Sequence, residues 1–229
     1  MRQIWHDLLF AHWPLPPERL RPLVPPELPL DTFHGQCWIG VVPFWMSGVR
    51  PRMIPPLPGL SRFPELNVRT YVTHGGKPGV YFFSLDAANL PAVWAARKFF
   101  HLPYFYAAMK SVAQDGTIFY FSKRRHSETE FRASYRRLAA VQFADKGSLA
   151  DWLTARYCLY TTHQDQLYRC EIHHLPWPLQ AAHAEFERNT MTEAANIALP
   201  GVPPLLHFSK CLEVLIWPLL RAGQPDARV

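Results

Sequence analysis

Hydrophobic and polar residues alternate with a period of two along several stretches of this chain, and that period points to β-strands. The clearest case is Leu66–Val72 followed by Val80–Leu85. These two runs are joined by the turn-forming segment THGGKPG, and together they predict a β-hairpin. In the first run Glu65, Asn67, Arg69 and Tyr71 share one face, and Leu66, Val68, Thr70 and Val72 share the other. A row of polar groups at alternate positions fits a solvent-facing side, or else the wall of a polar pocket inside a curved sheet. A second hairpin is predicted over Thr117–Ser122 and Glu130–Leu138, where Phe131, Ala133 and Tyr135 alternate with Arg132, Ser134 and Arg136. Its arginines read as a solvated face. Further strands are predicted at Gln36–Phe44, around Leu167–His173 and at Leu205–Leu219, the last limited by Pro218.

Three short helices complete the pattern. Pro16–Val24 opens with prolines and carries Leu20, Leu23 and Val24 at helical spacing. Ala92–Phe100 follows Pro91 and is rich in helix formers, and Ser148 with Asp151 opens SLADWLTARY like a capping box. Between the strand ending at Phe44 and the first hairpin, Pro51, Pro55, Pro56 and Pro58 surround Gly48 and Gly59. This makes a stiffened loop over 49–59, of a length found in binding segments and in packed surface loops alike.

Composition narrows the class. The 229 residues, 48% hydrophobic and 14% aromatic, supply one core, so a single domain over 1–229 is expected. A charged fraction of only 18% and 23 prolines argue against a disordered polyelectrolyte. The net charge of +6 comes from 18 arginines and six lysines, which suits fixed pairing with a carboxylate ligand. The positive residues are scattered and no nucleic-acid-binding signature accompanies them, so nucleic acid is not an expected partner. Cys37, Cys158, Cys170 and Cys211 are widely spaced, with no CxxC pair and no secretory signal, which points to a reduced, cytoplasmic setting. The opening MRQIWHDLLFAHWPLPPERL is interrupted by His12 and Pro14, so no membrane anchor is expected.

Several chemistries fall away for want of their motifs: there is no GxSxG, GxGxxG, Walker loop or HExxH. The neighbouring His173 and His174 would point to opposite faces of a strand, and no acidic cluster joins them, so neither a metal nor a cofactor is implied.

The segment FPELNVRTYVTHGGKPGVYFFSLDAANLPAVWAARKFFHLPYF resembles the core of the acetoacetate decarboxylase family. Glu65, the turn Gly76-Lys77-Pro78-Gly79, the corner Leu85-Asp86, Arg97 and Pro103 occur in the order and near the spacing of that family. The chain is similar over nearly its whole length to the uncharacterised bacterial family typified by YqjF. The carrying motifs are ELNVRTYV, GVYFFSLDA, RYCLY at Arg156–Tyr160, and PWPL at Pro176–Leu179. The resemblance implies a mainly β (α+β) fold, an antiparallel cone-like β-barrel with a few peripheral helices, assembled as a homo-oligomer. It also exposes a departure. The decarboxylases place two lysines after the proline, one forming a Schiff base with a β-keto acid, an arrangement that is itself a general example of amine activation. Here Tyr104 and Phe105 follow Pro103, and neither forms an imine. Lys98, beside Arg97, is the nearest other amine and reads as an exposed helical lysine.

What remains is a candidate pocket of Glu65, Asn67, Arg69 and Tyr104, with Asp86 and Arg97 nearby. Arginine would hold a carboxylate, Glu65 would move a proton, and Tyr104 would donate to an oxygen as it becomes negative. Such a set suits enolisation, hydration or aldol-type chemistry on an oxo or hydroxy acid. Two alternatives stand beside it: a Glu65–Arg69 ion pair that only ties the sheet together, and a non-catalytic protein that binds a small anionic or aromatic ligand.

Overall fold

Strand pairing closes the sheet of this protein on itself. The computed structural model describes residues 1–51, 55 and 61–223. Within them run β1 (Arg2–Leu15), β2 (Cys37–Arg50), β3 (Phe63–His74), β4 (Lys77–Ala87), β5 (Tyr104–Gln114), β6 (Thr117–Arg124), β7 (Glu130–Arg137), β8 (Cys158–His163), β9 (Gln166–His174), β10 (Gln180–Asn189) and β11 (Leu205–Arg221). β1 pairs with both β2 and β11, and β4 with both β3 and β8, so β1-β2-β3-β4-β8-β9-β11 form a ring. A second path, β5-β6-β7-β10, leads from β4 to β11. The pairings are antiparallel except for two short parallel contacts, β4 with β5 and β4 with β8. The expectation of a mainly β, largely antiparallel fold with few helices therefore holds.

The helices are α1 (Pro17–Leu20), α2 (Leu90–Phe100) and α3 (Leu149–Thr154), close to where their start signals fall. Asn89 Oδ1 accepts from the Ala92 N–H at 3.0 Å to open α2, and Ser148 Oγ accepts from Asp151 N–H at 3.2 Å to open α3. His101, at φ 51°, ends α2 in the left-handed conformation that helix C-termini favour. No helix among the described residues is long and apolar enough to cross a membrane.

Both faces of β1, β2 and β3 are buried, which blurs the alternation that a half-exposed strand would show. Leu8 and Phe10 belong to the cluster inside the ring, whereas Leu9 and Ala11 belong to a second cluster with Ile118 and Tyr120 of β6 and Phe131 and Tyr135 of β7. Burying each such side chain is worth ~1.5–3 kcal/mol, so the two layers hold β1–β3 from both sides.

Four irregularities set which residues face inward. Asp7 takes φ 48° and the β1–β2 register shifts around it, so the inward set passes from Gln3 and Trp5 to Leu8 and Phe10. Asp7 is held there by Lys210 at 2.5 Å, by the Trp45 indole N–H at 3.0 Å and by Tyr135, whose hydroxyl donates to its carbonyl. Gly48, at φ +62°, does the same in β2, where Phe44 and Met46 are followed inward by Val49. In β4 the register slips opposite Val68 and Arg69, and Phe82 and Leu85 both face in. β11 contains Pro218 rather than stopping at it: the pairing moves from Ile216↔Ile172 to Leu219↔Cys170, and the bulge absorbs the missing N–H.

β2 likewise continues to Arg50, beyond the predicted end at Phe44. Of the proline-rich loop over 49–59, residues 52–54 and 56–60 lie outside the described residues.

Candidate functional site

Inside the ring lies a cavity of about 190 Å³. Its walls are mainly aromatic and aliphatic, and its polar side chains are few: Gln3 of β1, Glu65, Asn67 and Arg69 along β3, Tyr104 at the start of β5, and Thr154, Arg156 and His174. The polar face of β3 is thus a pocket wall and not a solvent face. Glu65 and Asn67 are each 4% exposed, Arg69 is 8% exposed, and Tyr71 is fully buried. The ring curves around this face, while Leu66 and Val68 on the other side pack into the second cluster.

Glu65 sits where two layers meet. Tyr104 donates its phenolic hydrogen to Glu65 Oε2 at 2.7 Å. Behind it, the buried Tyr120 hydroxyl lies 2.6 Å from the Glu65 carbonyl oxygen and 2.9 Å from that of Phe44, the residue opposite Glu65 in the β2–β3 register. The second core layer therefore fixes the backbone that carries the acid. Burial pushes the Glu65 carboxyl up to about 8, against the lowering effect of the Tyr104 hydrogen bond. Burial, with the adjacent Glu65, also holds the Tyr104 phenol well above its ordinary value, so it stays a donor.

Arg69 lies four residues along the same face. Its guanidinium stands over the rings of Phe10 and Tyr71, at 5.4 and 5.8 Å from their centroids. Its Nε has no hydrogen-bond partner, and among the described residues no carboxylate pairs with it, so the ion pair to Glu65 does not form. Asn67, between the two, leaves its buried Oδ1 unpartnered. Gly40 makes room here: a Cβ on it would meet the His12 ring at 3.0 Å and Arg69 Cγ at 3.6 Å. His12 shares a 2.6 Å hydrogen bond with the Tyr71 hydroxyl, and burial together with the Arg69 charge keeps its ring neutral. A buried guanidinium without a counter-charge is costly to keep, and an anion in the cavity would relieve that cost.

Comparison with known proteins places this arrangement. The model of the DUF2071 family, described as an uncharacterized conserved protein, matches residues 2–213. The chain belongs to this family. It is 55% identical over 220 residues to the uncharacterized protein YqjF of Bacillus subtilis, covering 96% of this chain and 91% of that protein. Among solved structures it resembles an acetoacetate decarboxylase from Legionella pneumophila, at TM-score 0.63 and 13% identity over 97% of this chain and 88% of the other. It also resembles the enduracididine biosynthesis enzyme MppR complexed with pyruvate, at TM-score 0.66 and 10% identity over 96% and 89%. These two likenesses establish the fold, which is the acetoacetate-decarboxylase-like one.

The remaining residues singled out from the sequence of this DUF2071 member stand outside the cavity. Asp86 follows the inward Leu85 and so points to the opposite side, where Arg124 holds it from Nε at 3.1 Å and Nη2 at 2.7 Å. Arg97 donates to the Tyr104 carbonyl oxygen at 2.6 Å from the exposed side of α2, which anchors the start of β5. Lys98 is exposed, and no lysine among the described residues lines the cavity.

Among the cavity residues that the sequence reading did not single out for the site are Arg156, Trp177 and His174, two of which lie in the motifs RYCLY and PWPL. Arg156 is 2.5 Å from Asp31 and donates from Nε to the Trp152 carbonyl at 2.6 Å, so its charge is already matched. Trp177 packs against Trp5 and Phe10, and His174, held at Nδ1 by the Leu175 carbonyl, is kept neutral by burial. Each motif juxtaposes a polar or aromatic residue with a strand end, the only trace of this role in the sequence.

Proposed function

We propose that this protein is a small-molecule enzyme that binds an oxo or hydroxy acid through Arg69 and moves a proton next to its carbonyl with Glu65, without a covalent intermediate. The observation that carries this reading is the presence, in one cavity, of a buried arginine lacking a carboxylate partner and a buried acid poised near neutrality. An acid with a pKa of about 8 exists in both forms around neutral pH, which suits proton transfer. In its ionised form Glu65 takes a proton from the carbon beside the carbonyl. The C–H electrons form a carbon–carbon double bond and the carbonyl oxygen becomes an enolate; once Glu65 carries the proton, the Tyr104 hydrogen turns from it to that oxygen. Returning the proton from solvent-exchanged Glu65 completes the cycle; aldol addition would proceed from the same enolate, and addition of water to a conjugated double bond would lead to it.

Of the two alternatives, the Glu65–Arg69 ion pair does not form among the described residues, and a protein that binds a small anionic or aromatic ligand without chemistry is distinguished by an absence of exchange at the carbon beside the carbonyl. That a neighbour in fold is complexed with pyruvate agrees with an oxo acid as the ligand class. Tyr104 and Phe105, in place of a lysine pair, favour the non-covalent route.

A panel of oxo acids incubated with the protein in D₂O and followed by NMR tests the reading. Deuterium should enter the carbon beside the carbonyl with wild-type protein and not with Glu65→Gln. Borohydride added to the same mixtures should leave no mass adduct. Exchange unaffected by Glu65→Gln, or a reduced adduct on any amine, would reject the mechanism.

A further inference from the structure

The two ends of the cavity are far apart, and this bears on the shape of the substrate. Four residues of extended strand at about 3.3 Å each put the α-carbons of Glu65 and Arg69 ~13 Å apart. The Arg69 head does not lean back to close that gap, since it lies against Phe10 and against Tyr71, a residue two further from Glu65. Its charge is felt at His12 and His174, not at Glu65. The strand register fills the span with apolar neighbours: Phe44 beside Glu65, Leu85 beside Asn67 and Phe82 beside Arg69. The other arginine of the cavity, Arg156, is matched by Asp31, so Arg69 is the guanidinium left to receive a carboxylate.

Building on the function proposed above, we infer that the substrate is an elongated monocarboxylic oxo acid, its carboxylate on Arg69 and its carbonyl held at Glu65 and Tyr104 by an intervening apolar chain. With ~3 Å of hydrogen bond at each end, ~7 Å remains, which at about 1.5 Å per carbon–carbon bond takes about four intervening carbons. Short acids such as pyruvate reach one end only. A second carboxylate at the Glu65 end would meet another carboxyl group and a phenol, and would be disfavoured.

Wild-type protein in D₂O with pyruvate, with 6-oxoheptanoate, and with 2-heptanone, which has the same chain but no carboxylate, separates the possibilities. 6-Oxoheptanoate should exchange beside its carbonyl with a specificity constant at least about tenfold above either of the others. Arg69→Met should bring it down to the 2-heptanone level. Pyruvate exchanging as well as 6-oxoheptanoate would overturn the length requirement and leave the function above standing. 2-Heptanone matching 6-oxoheptanoate would overturn the carboxylate requirement. No accelerated exchange with any of the three would remove the function together with this inference.

Discussion

Glu65 and Asp86 are carried on paired strands, one residue out of register, and both are buried, yet their surroundings are opposite. Asp86 faces away from the cavity and is gripped by two nitrogens of Arg124, whose guanidinium also stacks 3.7 Å over the ring of Phe105. Glu65 faces inward and has a phenol for a partner, while the arginine on its own strand face is left with aromatic rings. A carboxylic acid and an arginine thus make a closed, self-satisfied pair on one side of the sheet and an open, unsatisfied set on the other. A structural pair minimises its electrostatic cost; a site for a charged ligand leaves part of that cost standing until the ligand arrives.

The largest effect should come from breaking the closed pair. Asp86→Ala strands a buried guanidinium and should cost ~3–5 kcal/mol in urea denaturation, whereas Arg69→Met removes a charge that has no partner and should stabilise by ~1–2 kcal/mol. Equal losses from both would erase the distinction between the two sides.

A second effect, smaller over any one pH unit, follows from Glu65 alone. Its folded value of about 8 exceeds the ordinary 4.5, so between those values the folded chain holds a proton that the unfolded chain has released. Stability from this group is complete below pH 4.5 and falls as pH rises toward 8, by at most ~1.4 kcal/mol per pH unit. Denaturation across that window should lose this slope in Glu65→Gln, and a slope that persists in the variant would assign it elsewhere.

The smallest effect tunes the site. Tyr104→Phe removes a hydrogen bond worth ~0.5–1.5 kcal/mol that favours the ionised acid, so the pH limb of deuterium exchange should move upward. A downward move would mean that Tyr104 does not act on Glu65 as the geometry implies.

Much of this was legible in the sequence, for reasons that also explain the gaps. The hairpin of β3 and β4, the helix starts at Asn89 and Ser148, and the β6–β7 hairpin follow from local turn and cap chemistry that needs no distant partner. Glu65, Asn67 and Arg69 were identifiable as one face, but whether that face met water or a cavity depends on ring closure by β1 with β11 and β4 with β8, pairings of long sequence separation. Four strands went unread. β1 has both faces buried and its alternation is reset at Asp7. β5 and β10, with AAMK and QAAHAE, are rich in helix formers, and sheet pairing overrides that propensity. β8, six residues long, gave only a motif. Arg156 reaches the cavity because Asp31, 125 residues away, receives it there.

The resets of phase at Asp7, Gly48, the middle of β4 and Pro218 carry a last implication. In a regular strand every second side chain is committed to one side for its whole length, so the lining of a chamber and the packing of the layer behind it cannot vary independently. Each reset cuts the strand into two segments with separate inward sets. The cavity can then diverge among relatives by changes confined to one segment, while the rear layer that steadies Glu65 keeps its own pattern intact.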